Sequence, residues 1–308
     1  MCELFCLSSR VPTAATFSLD AFARRSGRET RNVDGWGLAF YNGRDVRLYR
    51  EPEPAGDSAW LNFVEQRRLP SSLVISHIRH ATHGAISLAN TQPFARELGG
   101  RMHLFAHNGR LDDIEGRHAG EWERFQPIGD TDSEVAFCIL LERLSDLWRG
   151  AEAPSLDDRV RVITSFAAEM RQLGPANFLY ADGDALVAHG HRRIQADNSI
   201  APPGLWRLHR QCAVDIDALQ EAGIAIEAAG QHQEITLLAS VPLTGEPWRA
   251  LAEGEIVPIK DGRDYSSAGC AQFRTGCLAG IGLGTGKSAG PCAIEGQPQT
   301  MIARSLPG

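Results

Sequence analysis

Apolar runs broken by turn residues divide this chain into many short strands and a few helices. Residues 2–8, Cys-Glu-Leu-Phe-Cys-Leu-Ser, predict a strand, and Ala15, Phe17, Leu19 and Phe22 predict a helix over 14–25. Residues 35–41, a turn at Asn42-Gly43 and residues 46–49 predict a hairpin, because Asn-Gly between apolar runs favours a tight two-residue turn. Residues 57–69 predict a helix capped by Asp57 or Ser58. Two apolar strands, 73–78 and 102–106, each end in a polar cluster: 77–84 and His107-Asn108-Gly109. The clearest helix opens at 131–134, with Thr131 or Ser133 as its cap and Val135, Cys138, Leu141 and Leu144 along one face. A second helix is predicted over 156–173, a second hairpin over 178–188 with its turn at Asp182-Gly183, and late strands over 235–239 and 255–259. Hairpins throughout, with strands before and after the helices, predict an α+β layered domain with antiparallel sheets.

The pattern fades near residue 264. The following residues, 265–308, carry nine glycines, three of the seven cysteines, one acidic residue and no periodicity. The expected organisation is one domain over 1–264 and a Gly-rich, loosely packed tail over 265–308.

Composition narrows the function classes. Of 308 residues, 43% are hydrophobic and 22% charged, ordinary for a globular chain with a large core. A formal charge of -7 without a Lys/Arg run argues against binding nucleic acid. No stretch reaches the ~20 apolar residues of a membrane span, and Glu3 interrupts any signal-like start. The expectation is a cytoplasmic protein whose cysteines stay reduced, so a reactive thiol is sought before a disulfide.

Cys2 is the first candidate. Once Met1 is removed it carries a thiol and an α-amine, and an amine of pKa about 7.7–8.0 can take the thiol proton. By position alone a buried strand cysteine is the favoured reading, since most second-position cysteines are incidental. Four other segments reverse that judgement. Gly35-Trp36-Gly37 lets backbone approach a ligand. Arg79, at the end of a buried strand, can fork onto a carboxylate. Asn108 beside the N–H of Gly109 offers two donors to an oxyanion. Asp132, at a helix start, can hold an ammonium or cap the helix. Together they describe a substrate with an α-carboxylate, an α-ammonium and a side-chain amide: glutamine or a γ-glutamyl compound.

These motifs, with Val11-Pro12-Thr13, Asn90-Thr91-Gln92-Pro93-Phe94, Asn177-Phe178-Leu179, 239–244 and Glu246-Pro247-Trp248, resemble those of the class II glutamine amidotransferases, in the stand-alone, YafJ-like branch. The resemblance spans about residues 1–262. It implies the four-layer α/β/β/α sandwich of the N-terminal-nucleophile hydrolases. It implies Cys2 as nucleophile, Asn108 and Gly109 as the oxyanion hole, Arg79 and Thr82 on the α-carboxylate, Asp132 on the α-ammonium, and His83, Gly35 and Trp36 in support. It implies no metal and no cofactor, a small-molecule substrate, and either an ammonia-accepting partner or a homo-oligomer. Gln92 stands where the family often has His, which would alter carboxylate binding if that position touches the substrate.

Three further signals are set aside. Cys2 and Cys6 lack a second ligand pair at suitable spacing for a metal. His189 and His191 alternate on a hairpin. Residues 280–288 imitate a phosphate loop but carry Ile281 where a glycine is needed. The competing class of function is a non-catalytic glutamine or γ-glutamyl sensor, which would keep Arg79 and Asp132 without needing Cys2, Asn108 and Gly109 together.

Overall fold

A computed structural model describes residues 2–14, 34–81, 84–150, 152–213 and 232–265. The predicted helix over 14–25 and the tail beyond 265 fall outside the described residues, apart from Ala14, which ends the first strand.

The strands are β1 (Glu3–Ala14), β2 (Trp36–Asn42), β3 (Asp45–Glu51), β4 (Pro70–Ile78), β5 (Phe94–Leu98), β6 (Arg101–Gly109), β7 (Ala176–Ala181), β8 (Leu186–His189), β9 (Arg193–Ile194), β10 (Ile200–Ala201), β11 (Trp206–Ala213), β12 (His232–Ala239), β13 (Arg249–Ala250), β14 (Ile256–Lys260) and β15 (Arg263–Asp264). The helices are α1 (Ala59–Arg67), α2 (Ile114–Arg117), α3 (Asp132–Ser145) and α4 (Leu156–Leu173). One sheet runs β13-β11-β12-β1-β4-β2-β3, and a second runs β15-β14-β8-β7-β6-β5. Their strand pairs are antiparallel. β9 and β10 form a separate two-stranded ribbon.

Period-two alternation builds the layers. Leu4, Cys6, Ala39 and Ile75 face inward from the first sheet and meet Leu104, Ala106, Leu179 and Ala188 of the second. Their neighbours Phe5, Leu7, Leu38 and Val74 point the other way, onto Leu61 and Val64 of α1. On the far side, Phe105, Phe178 and Tyr180 pack under Phe137, Ile163 and Phe166 of α3 and α4. The result is the four-layer α/β/β/α sandwich expected from the sequence.

Local signals account for the helix ends. The Ser58 hydroxyl accepts the Leu61 N–H at 3.0 Å and opens α1. Thr131 caps α3 through the Glu134 N–H at 3.3 Å, and Ser155 caps α4 through Asp158 at 3.1 Å. Two expectations shift. The first hairpin turns at Gly43-Arg44, one residue later than expected, because Asn42 pairs with Asp45 and Gly43 takes φ 64°. The apolar face of α3 proves to be most of its surface: residues 133–141 and Leu144 are buried, since the helix lies between the second sheet, α2 and α4. The elements β5, β11, β13 and β15 and the ribbon were not anticipated.

Candidate active site

The site lies where β1 begins, at the ends of β4 and β6. β1 sits between β12 and β4 in the first sheet, so residue 2 emerges beside the segment that follows β4. The half-buried Cys2 contacts His80 twice: its Sγ accepts the His80 N–H at 3.3 Å and donates to the His80 carbonyl at 3.4 Å. Burial pushes the Cys2 thiol up; the Glu3 charge pushes the same way, while the His80 hydrogen bond and Arg79 pull it down. A thiol so placed is mostly protonated at neutral pH and needs a base to become a nucleophile.

Asn108 closes the site from the second sheet. It is buried near the end of β6, and its Nδ2 donates to the Cys2 carbonyl oxygen at 2.5 Å and to Ser240 Oγ at 3.5 Å. This contact joins the two sheets at Cys2. Asn177, opposite Asn108 on β7, holds that strand end in place: its Nδ2 donates to the Asn108 carbonyl at 3.1 Å and to the Arg192 carbonyl at 2.6 Å, and its Oδ1 accepts from His191 N at 2.7 Å. Glycines permit these approaches. A Cβ on Gly109 would lie 1.7 Å from the Pro175 carbonyl oxygen, and one on Gly204 would lie 1.6 Å from Asn177 Oδ1.

Arg79 is buried just past β4, its backbone N–H on the Gly35 carbonyl at 2.8 Å and its guanidinium on the Gly84 carbonyl at 3.3 Å. Asp34 supports the same segment through Ala81 N at 2.7 Å, with His80 Nδ1 at 3.7 Å. Asp132 opens α3. Its Oδ2 accepts Leu111 N at 2.7 Å and its Oδ1 accepts Ser133 N at 2.8 Å, tying the loop after β6 to the helix start. His107 is buried between Ser133 Oγ at 2.8 Å and the Pro175 carbonyl at 3.3 Å. Burial lowers its pKa and Asp132 opposes the shift, so the imidazole is neutral.

Cys2, Asn108 and the segment carrying Arg79 are thus in direct contact, and Asp132 reaches the same strand end through Leu111. Gly35 lies behind Arg79 as its backbone acceptor. Trp36 is fully buried in the core, its indole N–H on Glu51 at 3.1 Å. Thr82 and His83 fall outside the described residues. Gln92 accepts the His107 N–H at 2.6 Å, so it braces β6.

Sequence reasoning gave no role to Glu3, Arg193 or Ser240. Glu3 is buried beside Cys2 and pairs with Arg193 at 2.8 Å; Arg193 also donates to the Ser240 carbonyl at 2.5 Å. Burial raises the Glu3 carboxyl to about 7 despite Arg193. The available signal was weak: a charge in an otherwise apolar first strand, which is rarely buried unless paired. Among the described residues no group of three or more His, Cys, Asp or Glu side chains is arranged to hold a metal, and no helix is long and apolar enough to cross a membrane.

The family pattern of the class II glutamine amidotransferases matches residues 1–276. The chain belongs to that family. It is 36% identical over 257 residues to YafJ of Escherichia coli K12, a protein named for the same family, covering 83% of this chain and 96% of YafJ. It is similar to the crystal structure of a predicted glutamine amidotransferase from Pseudomonas aeruginosa PA01, with TM-score 0.59 and 30% identity over 86% of this chain and all of that one. The fold is also that of the glutamine phosphoribosylpyrophosphate amidotransferase of Bacillus subtilis, with TM-score 0.52 and 17% identity over 86% of this chain and 48% of that one. The chain is accordingly a class II glutamine amidotransferase with the N-terminal-nucleophile hydrolase fold.

Proposed function

We propose that this enzyme cleaves the γ-amide of glutamine, or of a γ-glutamyl compound, through a thioester on Cys2. The observation that carries the reading is the Asn108 amide resting on the Cys2 carbonyl oxygen, which sets an oxyanion donor beside the nucleophile. After Met1 is removed, the neutral α-amine of Cys2 takes the thiol proton, and Sγ attacks the amide carbon. Asn108 Nδ2 and the Gly109 N–H carry the oxyanion. The tetrahedral species collapses as the C–N bond breaks. The ammonium formed on Cys2 returns its proton to the departing ammonia or amine. Water then attacks the thioester with the α-amine as base, which releases glutamate and restores the thiol.

Arg79 and Thr82 take the substrate α-carboxylate and Asp132 takes the α-ammonium, with His83, Gly35 and Trp36 in supporting roles. The planar guanidinium of Arg79, with five N–H donors, matches the two oxygens of a carboxylate. Gln92 braces the end of β6 through the His107 N–H. The ammonia passes to water or to a separate partner enzyme. Turnover of glutamine against γ-glutamyl peptides with no partner present separates these substrates.

The test is covalent. A glutamine-like diazoketone is expected to modify Cys2 alone, on a chain whose mass lacks Met1, and Cys2→Ala is expected to abolish amide cleavage. An adduct elsewhere, full activity in Cys2→Ala, or a retained Met1 on active protein would sink the reading. Binding of glutamine with no turnover by the wild-type chain would favour a sensor instead.

A further inference from the structure

We infer that Asn90 is a positioning residue that fixes the span between the Arg79 arm and the Asp132 arm of the site. It thereby makes the enzyme select substrates that carry both an α-carboxylate and an α-ammonium. This role rests on the function proposed above and deepens it, by naming the side chain that sets the selectivity.

The two arms come from distant parts of the chain. Arg79 follows β4, and its guanidinium rests on the Gly84 carbonyl at 3.3 Å. Asp132 opens α3, two residues after Asp130. Asn90 is buried between these loops, at the end of a short 3₁₀ helix, Leu88–Asn90. Its Nδ2 donates to the Ala85 carbonyl at 2.9 Å, next to the glycine that anchors Arg79. The same Nδ2 donates to Asp130 Oδ1, and Asn90 Oδ1 accepts the Asp130 N–H at 2.9 Å. One amide thus bonds both loops at once. A backbone N–H can only donate, so the sense of the amide is fixed: its oxygen faces Asp130 N, and its NH2 faces Ala85 and the Asp130 carboxylate.

Both loops approach this closely because they carry glycine there. A Cβ on Gly129 would lie 2.1 Å from Asn90 Oδ1, and one on Gly84 would lie 2.8 Å from Asp130 Oδ1 and 3.1 Å from Asn90 Nδ2. The turn that bears Asn90 is anchored in its own right. Arg50 of β3 donates to the Thr91 carbonyl at 2.8 Å, and the Thr91 hydroxyl donates to the Ser87 carbonyl at 2.9 Å. Asn90 is therefore a post fixed to the first sheet, and each arm is bonded to it. Two charges on one α-carbon can meet both arms only at one separation of Arg79 and Asp132.

The experiment compares wild type, N90A, N90D and the exchanged pair N90D/D130N. Modification of Cys2 by a glutamine-like diazoketone is timed against modification by iodoacetamide, which carries neither α-group. Turnover of glutamine is set against that of its analogue lacking the α-amine. N90D faces a carboxylate oxygen with the Ala85 carbonyl and the Asp130 carboxylate, and pushes the loops apart. It is expected to slow the diazoketone about tenfold to a hundredfold, the scale of an arm misplaced by about 1 Å, and to leave the iodoacetamide rate unchanged. The preference for glutamine over the analogue should fall by a similar factor, with KM rising more than kcat falls. A merely loosened fold would affect both substrates in proportion and leave that preference intact. In N90D/D130N the introduced amide at 130 donates to the introduced carboxylate at 90, and most of the selectivity should return. An N90D enzyme with wild-type selectivity, a double variant no better than N90D, or a wild-type enzyme indifferent to the missing amine would overturn the inference. If N90D does not fold, N90A, which removes the bonds without adding a charge, is set against the double variant; equal loss of selectivity in the two would overturn it. A wild-type chain whose Cys2 takes iodoacetamide but no diazoketone, and which cleaves no γ-glutamyl amide, defeats the proposed function itself, a result separable from these.

Discussion

Two buried arginine–carboxylate clusters hold this molecule together, and they are built on opposite terms. At one, Arg159 of α4 reaches Asp182 at 2.6 Å and Asp184 at 2.7 Å in the turn between β7 and β8. The other oxygens there are also engaged: Asp182 Oδ1 accepts Asp184 N and Ala185 N at 3.0 Å each, and Asp184 Oδ1 accepts Lys260 at 2.9 Å. Burial works against the Asp184 charge, but Lys260 and Arg159 outweigh it and its pKa falls. At the other, burial outweighs Arg193 and the Glu3 carboxyl rises to about 7. A saturated cluster pins a helix to a sheet. An unsaturated one leaves a buried carboxylate oxygen without a partner next to Cys2 among the described residues, at a cost in stability.

The comparison can be broken in descending steps. Arg159→Met leaves Asp182 buried without its cation and is expected to cost roughly 3–5 kcal/mol of unfolding free energy in denaturant titration. Turnover per folded molecule should not change; a fall would mean that this cluster also serves the site. Asn108→Ala is the mirror case. We expect kcat to drop about 10²–10³-fold, near 3–4 kcal/mol of barrier, while the loss of stability stays close to the ~1 kcal/mol of one hydrogen bond. A large stability loss would make Asn108 a structural clamp first.

The smallest effect at neutral pH concerns titration. Burial lowers His77 and His189 to about 3 and His103 to about 4 from an ordinary 6.5. Between 6.5 and those values the unfolded chain binds protons that the folded chain refuses, so stability rises with pH across that window and is lost as pH falls through it. Glu3 acts oppositely: its folded carboxyl keeps a proton between 4.5 and about 7, so its contribution declines as pH rises there. Three histidines outnumber one glutamate, and net acid destabilisation is expected below pH 6.5. Replacing His103 with Asn should flatten that slope in unfolding titrations at several pH values, and an unchanged slope would exclude it as a contributor.

Much of the frame was legible because it rests on short-range rules. The caps at Ser58 and Thr131, the 3.6-residue period of α4 and the apolar run of β4 each announce themselves within a few residues. β11 had a readable alternation, with Trp206 and Leu208 leading it, but its polar partners masked the pattern. That Cys2, Asn108 and the Arg79 segment lie together could be read from the sequence because motif order links them. That Glu3, Arg193 and Ser240 join them could not. They lie up to 237 positions apart in the chain, and what unites them is burial at one sheet junction, which no local pattern encodes. Gln92 is a second case: its place in a motif was legible, but its hydrogen bond to the His107 backbone N–H, 15 residues away, was not.

Gly204 and Asn177 bind the history of this protein as well as its structure. The Asn177 oxygen occupies the volume a side chain at 204 would need, and that same oxygen fixes the His191 N–H. Neither position is free to drift alone. In any lineage descended from this chain, an alanine at 204 survives only where a smaller residue has replaced Asn177, and a library that varies the two sites independently should recover them as a coupled pair.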